Sequence, residues 1–145
     1  MKIYIDADGC PVVEVTVCEA KKRNIETVII CDTSHEFKND YAEIVTVDKG
    51  ADSADFKLVN MIEKGDIAVT QDYGLAAMCL ARKAVPVNQF GMVYSNDNID
   101  GLLFSRYANK KARMAGQRIK GPVKRKPCDD EKYLAALRRI LDNEY

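Results

Sequence analysis

The chain has 145 residues, 47% of them hydrophobic and 30% charged. That is the length of one domain with a single sizeable core, and the composition excludes a wholly disordered or fibrous chain. The formal net charge is zero, yet nine of the 22 basic residues fall in 106–126, which holds no acidic residue, and the remainder carries 13 basic against 22 acidic residues, a balance of −9.

A β-branched and aromatic run at 2–5 predicts a first strand. Asp6, Ala7, Asp8, Gly9, Cys10 and Pro11 then turn the chain into a helix over 12–23, with Val13, Val17 and Ala20 on one face and Lys21, Lys22 and Arg23 at its basic end. Strands are expected at 26–31 and 43–47, a helix at 52–63, a strand at 67–70, a helix at 75–83 and a short strand at 85–87. Pro86 directs that last strand to a sheet edge. Residues 91–94 read as a small strand or hairpin, and Ile99, Leu102, Leu103 and Tyr107 line a helix from about 98 to 111. Glycines and prolines among basic residues mark 116–128 as a loop, and a packing helix follows over 129–143 with Tyr133, Leu134, Leu137, Ile140 and Leu141 on one face. Alternating strands and helices predict an α/β fold, a small, mainly parallel sheet covered by helices on both faces, in one domain spanning 1–145.

The longest apolar run, 75–81, falls far short of the roughly 18 residues that span a bilayer. Asp6 and Asp8 break the apolar stretch at the amino terminus, so no secretory signal is read there, and a cytoplasmic protein with no membrane partner is expected. Five scattered cysteines without a Cys-x-x-Cys pair, and one histidine, His35, offer little to a soft metal. They read as small buried hydrophobes and an occasional exposed thiol; Cys10, beside a helix start, is a candidate for a thiolate.

The aspartates are more informative. Asp6 and Asp8 follow the first strand and Asp72 the fourth, all at carboxyl ends, the edge where open parallel sheets bind ligands. Asp52 and Asp55, three apart, open a helix that starts near the same edge. Asp66 lies at the opposite end of its strand and is read as a turn residue. Crowded carboxylates without histidine or cysteine suit a hard divalent ion, Mg²⁺ or Mn²⁺, of the kind that organises phosphodiester hydrolysis. A purely structural reading makes Asp52 an N-cap with Asp55 as its companion, and Asp72 a turn residue. The basic stretch supplies candidate phosphate contacts at Arg106, Lys110, Lys111, Arg113, Arg118, Lys120, Lys124, Arg125 and Lys126, with a solvated surface as the alternative. Only Tyr107 is available there for base stacking.

The opening Lys2-Ile-Tyr-Ile-Asp-Ala-Asp-Gly-Cys-Pro-Val12 resembles that of the bacterial YaiI/YqxD family, with Gly9 where alanine is usual. The resemblance continues through Ala51-Asp52-Ser53-Ala54-Asp55, Gly65-Asp66-Ile67-Ala68-Val69-Thr70-Gln71-Asp72-Tyr73-Gly74-Leu75-Ala76-Ala77 and Gly121-Pro122 to the last helix. That family is similar to the PIN-domain-like nucleases, which implies a small parallel sheet between helices with an acidic, metal-binding pocket. Asp6, Asp52 or Asp55, and Asp72 match its acidic pattern, and Thr70-Gln71-Asp72 resembles its Thr-x-Asp turn, with Thr70 in support. By that analogy the chain is a metal-dependent nuclease. Asp6, Asp52, Asp55 and Asp72 would hold one or two Mg²⁺ or Mn²⁺ ions, Asp8 would orient a ligand or water, and RNA stands ahead of DNA as substrate. Two other readings stay open. Asp6-Ala7-Asp8-Gly9 also resembles the nucleophile motif of haloacid-dehalogenase-type phosphatases, with Asp6 as nucleophile and Asp8 as acid/base, and a nucleic-acid-binding module would keep the pocket without turnover.

Overall fold

A computed structural model describes residues 1–34, 36–50, 52–118 and 124–143. These residues form β1 (Lys2–Asp6), α1 (Val13–Lys22), β2 (Glu26–Asp32), β3 (Glu43–Val47), α2 (Ser53–Met61), β4 (Ile67–Val69), α3 (Tyr73–Ala81), β5 (Val85–Val87), α4 (Ile99–Met114) and α5 (Pro127–Leu141). The strands pair in parallel throughout, in the order β3-β2-β1-β4-β5. The α/β class read from the alternation of elements is the one observed.

The two-residue period of the strands sorts their side chains into two apolar layers. Ile3, Ile5, Ile29, Cys31, Ile67 and Val69 face one way, against Val13, Val17 and Ala20 of α1 and Tyr133, Leu137 and Ile140 of α5. Tyr4, Val28, Ile30 and Ala68 face the other way, against Leu58 of α2, Ile62, and Leu75 and Cys79 of α3. Burial of each large side chain contributes about 1.5–3 kcal/mol, which makes the apolar character of both faces of β1 and β2 the main determinant of the sandwich. A hydroxyl pair, Thr16 Oγ1 and Tyr133 OH at 2.6 Å, ties α1 to α5 inside the first layer.

Pro86 lies on the edge strand, as its missing N–H requires. Val85 N–H and the Val87 carbonyl bond to the β4 side. On the free side, the Pro86 carbonyl accepts Tyr94 N–H at 2.9 Å, and Val87 bridges Val93 antiparallel. The small strand expected at 91–94 is reduced to that bridge.

Each helix departs from its sequence-based bounds by one to three residues, and two of the departures have a clear physical cause. The last begins at Pro127, inside the expected loop: proline fits the first helical turn, and the Asp129 carboxylate accepts Lys126 N–H at 2.8 Å. The fourth runs to Met114, past its apolar stripe. Ile99 packs with Ala76 and Tyr94, whereas Phe104 is 70% and Met114 80% exposed, so the distal half of α4 stands clear of the sandwich. Residues 119–123, with Lys120, Gly121 and Pro122, lie outside the described residues, as does His35. Among the described residues, no helix is long and apolar enough to cross a membrane.

From central β1 the chain winds through β2 and β3 on one side and through β4 and β5 on the other. The reversal leaves a crevice at the carboxyl ends of β1 and β4, where the loops leaving two neighbouring strands diverge.

Candidate functional site

Asp6 is the last residue of β1, and β1 is flanked by apolar strands on both sides, so its carboxylate emerges from the core into the crevice. The turn after β4 reaches it. The buried Thr70 hydroxyl donates to Asp6 Oδ2 at 3.0 Å and accepts Asp72 N–H at 3.0 Å. Tyr94 OH in turn donates to the Thr70 carbonyl at 3.2 Å. One hydroxyl proton therefore orients Asp6 while its oxygen sets the turn that carries Asp72. Gln71 Nε2 donates to the Gly9 carbonyl at 2.9 Å, tying this turn to the loop that carries Asp8. Gly9 has φ +66°, the left-handed conformation that glycine adopts without strain.

The cleft so formed has a volume of about 530 Å³. Asp6, Asp8, Asp52, Asp55 and Asp72, the five aspartates singled out in the sequence, all line it. Asp32, Gln71, Tyr73 and Arg106 join them. Asp32 was missed, although it ends β2 and obeys the carboxyl-end rule that found Asp6; the strand was read only to Cys31. Its carboxylate accepts hydrogen bonds from Ser34 N–H, at 2.9 Å, and from the Ser34 hydroxyl.

Asp52 stands at the N-cap position of α2, as its structural reading expects, but without the capping bond. Its carbonyl accepts Phe56 N–H, but its side chain caps no backbone group, and its φ of +65° places it in the left-handed region. Asp72 serves two purposes. Its Oδ1 caps α3 by accepting Gly74 N–H at 2.8 Å and Leu75 N–H at 3.2 Å, and the same oxygen meets Arg106 Nη1 at 3.3 Å. With Arg106 60% and Asp72 35% exposed, that ion pair contributes about 0–1 kcal/mol.

Burial and crowding both raise carboxyls in the cleft. Burial, followed by the charges of Asp72 and Asp8, pushes Asp6 up to about 6 against the pull of the Thr70 hydrogen bond. Asp55 is also raised to about 6, by burial and then by Asp72, Asp6 and Asp52, with Arg106 opposing. Cys10 proves no thiolate: burial pushes its thiol up to about 11, and α1 begins only at Val13.

The basic residues do not form one surface. Arg106 lines the cleft and also a groove of about 410 Å³ shared with Lys110, Arg113 and Met114. Lys111 sits over the Tyr107 ring at 5.4 Å on another side of α4. Arg118, Lys124 and Lys126 are exposed. Arg125 is held in place: it donates to Asp130 at 2.7 and 3.0 Å and to the Gln89 carbonyl at 2.9 Å, and lies over the Phe90 ring at 5.2 Å. That arrangement fastens the start of α5 to the loop after β5.

The family model described as "Uncharacterized BCR, YaiI/YqxD family" matches residues 4–143. The chain belongs to that family. It is 46% identical over 143 residues to a UPF0178 protein of Clostridium acetobutylicum, covering 97% of each chain. A UPF0178 protein of Ruminiclostridium cellulolyticum is 49% identical over 144 residues, covering 99% of this chain and 94% of the relative. One of Exiguobacterium sibiricum is 47% identical over 141 residues, covering 97% and 96%. No solved structure gives a significant match.

Among the described residues, no three of His, Cys, Asp or Glu are gathered closely enough to hold an ion between them. The donor chemistry nevertheless fits a hard cation: the cleft offers carboxylates from β1, α2 and the β4–α3 turn, with neither thiolate nor imidazole among its lining residues, and two of those carboxyls are raised by burial and then by their neighbours' charge.

Proposed function

We propose that this protein is a metal-dependent phosphodiesterase that cleaves nucleic acid, RNA ahead of DNA, at the carboxyl edge of its sheet. One observation carries the reading: aspartates from the ends of β1 and β2, from α2 and from the β4–α3 turn converge on a single cleft, where Asp6 and Asp55 are both raised to about 6. Carboxylates that only stabilised the fold would be spread out or neutralised by backbone donors. The preference for RNA rests on the resemblance to PIN-domain-like nucleases.

Asp6, Asp52, Asp55 and Asp72 are the residues that would hold Mg²⁺ or Mn²⁺. When bound, such an ion screens the phosphate charge and makes a water molecule a better nucleophile. The chain's own residues do the positioning. Thr70 fixes the rotamer of Asp6, and the amino-terminal N–H groups of α3 fix Asp72. Asp8, on the loop tethered by Gln71, is placed to orient a ligand or accept a proton from water. Arg106 and the exposed lysines and arginines of α4 supply positive charge for the phosphates that flank the scissile bond.

The test is an incubation of pure protein with labelled RNA, single-stranded DNA and a phosphomonoester, with Mn²⁺ or chelator. The account predicts internal cleavage of RNA that stops with chelator and falls at least about 100-fold in Asp72→Asn. Phosphate release from the monoester, abolished by Asp6→Asn, would instead identify a phosphatase. Retention of polymer without conversion of any substrate would identify a binding module.

A further inference from the structure

Helical spacing puts Ile99, Leu103, Arg106, Lys110 and Arg113 on one stripe of α4. The first two pack toward α3, and where the stripe leaves the sandwich it turns from apolar to cationic. Arg106 stands at that change, with its guanidinium at Asp72, and it also lines the groove shared with Lys110 and Arg113. Gly74 lies beside the pair of Asp72 and Arg106: a Cβ there would approach Asp72 Oδ1 tightly, at 3.2 Å, and meet Arg106 Nη1 in ordinary contact at 3.8 Å. The contact is one-pronged and lies on the oxygen that already caps α3, so removing it leaves Asp72 fixed by Gly74 and Leu75. Arg106 lines the same cleft as Asp6, Asp52 and Asp55, so its charge is shared with the carboxylates around Asp72.

We propose that Arg106 is an exchangeable counter-ion of the cleft: it competes with a divalent cation for the carboxylates around Asp72 and, once displaced, becomes the first phosphate contact of a track that continues through Lys110 and Arg113. This rests on the nuclease reading above and adds to it an order of events, in which cation binding frees the residue that grips the polymer. A guanidinium suits the exchange because its planar fork can donate to the oxygens of a carboxylate or of a phosphate.

The two roles predict opposite signs for one substitution. In calorimetric titrations, Arg106→Gln should bind Mn²⁺ about 2- to 5-fold more tightly than the parent protein. In the presence of Mn²⁺ it should bind a hydrolysis-resistant 2′-O-methyl RNA oligonucleotide about tenfold more weakly. Arg106→Lys, which keeps the charge, should return Mn²⁺ affinity toward the parent value. A purely structural ion pair would leave Mn²⁺ affinity unchanged or lower it, and either result, with circular dichroism showing a folded variant, overturns the proposal. Unaltered oligonucleotide affinity in Arg106→Gln overturns it as well. If the parent protein binds no Mn²⁺, the nuclease reading falls and this inference with it, whereas Mn²⁺ binding that fails to tighten in Arg106→Gln removes this inference alone.

Discussion

Two neighbouring strands carry aspartates at opposite ends, with opposite fates. At the amino edge of the sheet Asp66, just before β4, is 6% exposed, and its two oxygens accept Lys2 N–H and Glu63 N–H, both at 2.9 Å. It clamps the start of β1 to the end of α2. At the carboxyl edge Asp6 ends β1 with a hydroxyl donor from Thr70 and with Asp8 and Asp72 as neighbours. A carboxylate paired with backbone donors stabilises the fold. One set among other carboxylates costs stability, and its position is explained by what it can bind.

The contrast is sharpest for stability. Asp66→Ala should destabilise the protein by about 2–4 kcal/mol in urea unfolding, because two backbone N–H groups lose their acceptor. At the other edge the sign reverses: Asp6→Asn should raise stability at pH 7 by about 1–2 kcal/mol, a figure reduced from the full shift because the cleft is open to solvent. The pH dependence follows. With Asp6 and Asp55 raised to about 6 against about 3.9 for an unfolded aspartate, the folded protein holds protons that the unfolded chain has released. Their contribution to stability is therefore fully present below about pH 4 and is lost as pH rises through about 6. Asp6→Asn should flatten that fall in a series of unfolding curves. The smallest effect belongs to Asp52. Asp52→Gly should stabilise by about 0.5–1 kcal/mol by relieving a left-handed backbone, while weakening Mn²⁺ binding.

The same contrast explains what could be read from the sequence. Asp6, Asp8 and Asp72 were legible because strand runs are local patterns and the carboxyl edge follows from them; Asp66 was assigned to the other edge by the same logic. Asp32 was lost to a boundary one residue short. The order β3-β2-β1-β4-β5 was not readable, since it depends on pairings between distant segments, and neither was the left-handed backbone of Asp52. The loop expected over 116–128 is two residues too long at its end because Pro127 reads with the surrounding basic residues, although proline in the first turn, two residues before the Asp129 that opens the expected helix, announces a helix start. The helix ending at Met114 outran its apolar stripe because its distal half has no core to pack against, and periodicity reports packing. Arg106 was included with the other basic residues; its place in the cleft depends on how α4 packs beside α3, which no local pattern encodes.

Burial and mutual repulsion together raise Asp6 and Asp55 at the carboxyl edge, and a divalent ion bound among the aspartates there would relieve both. The most direct test of that central claim is Mn²⁺ titration calorimetry at pH 6 and pH 8, in buffers of differing ionisation heat so that proton release can be counted. The account predicts that each ion bound at pH 6 displaces about one proton, drawn from Asp6 and Asp55. That release should vanish at pH 8, and at pH 6 should fall by about half in Asp6→Asn. Absence of Mn²⁺ binding, or binding without proton release at pH 6, would contradict it.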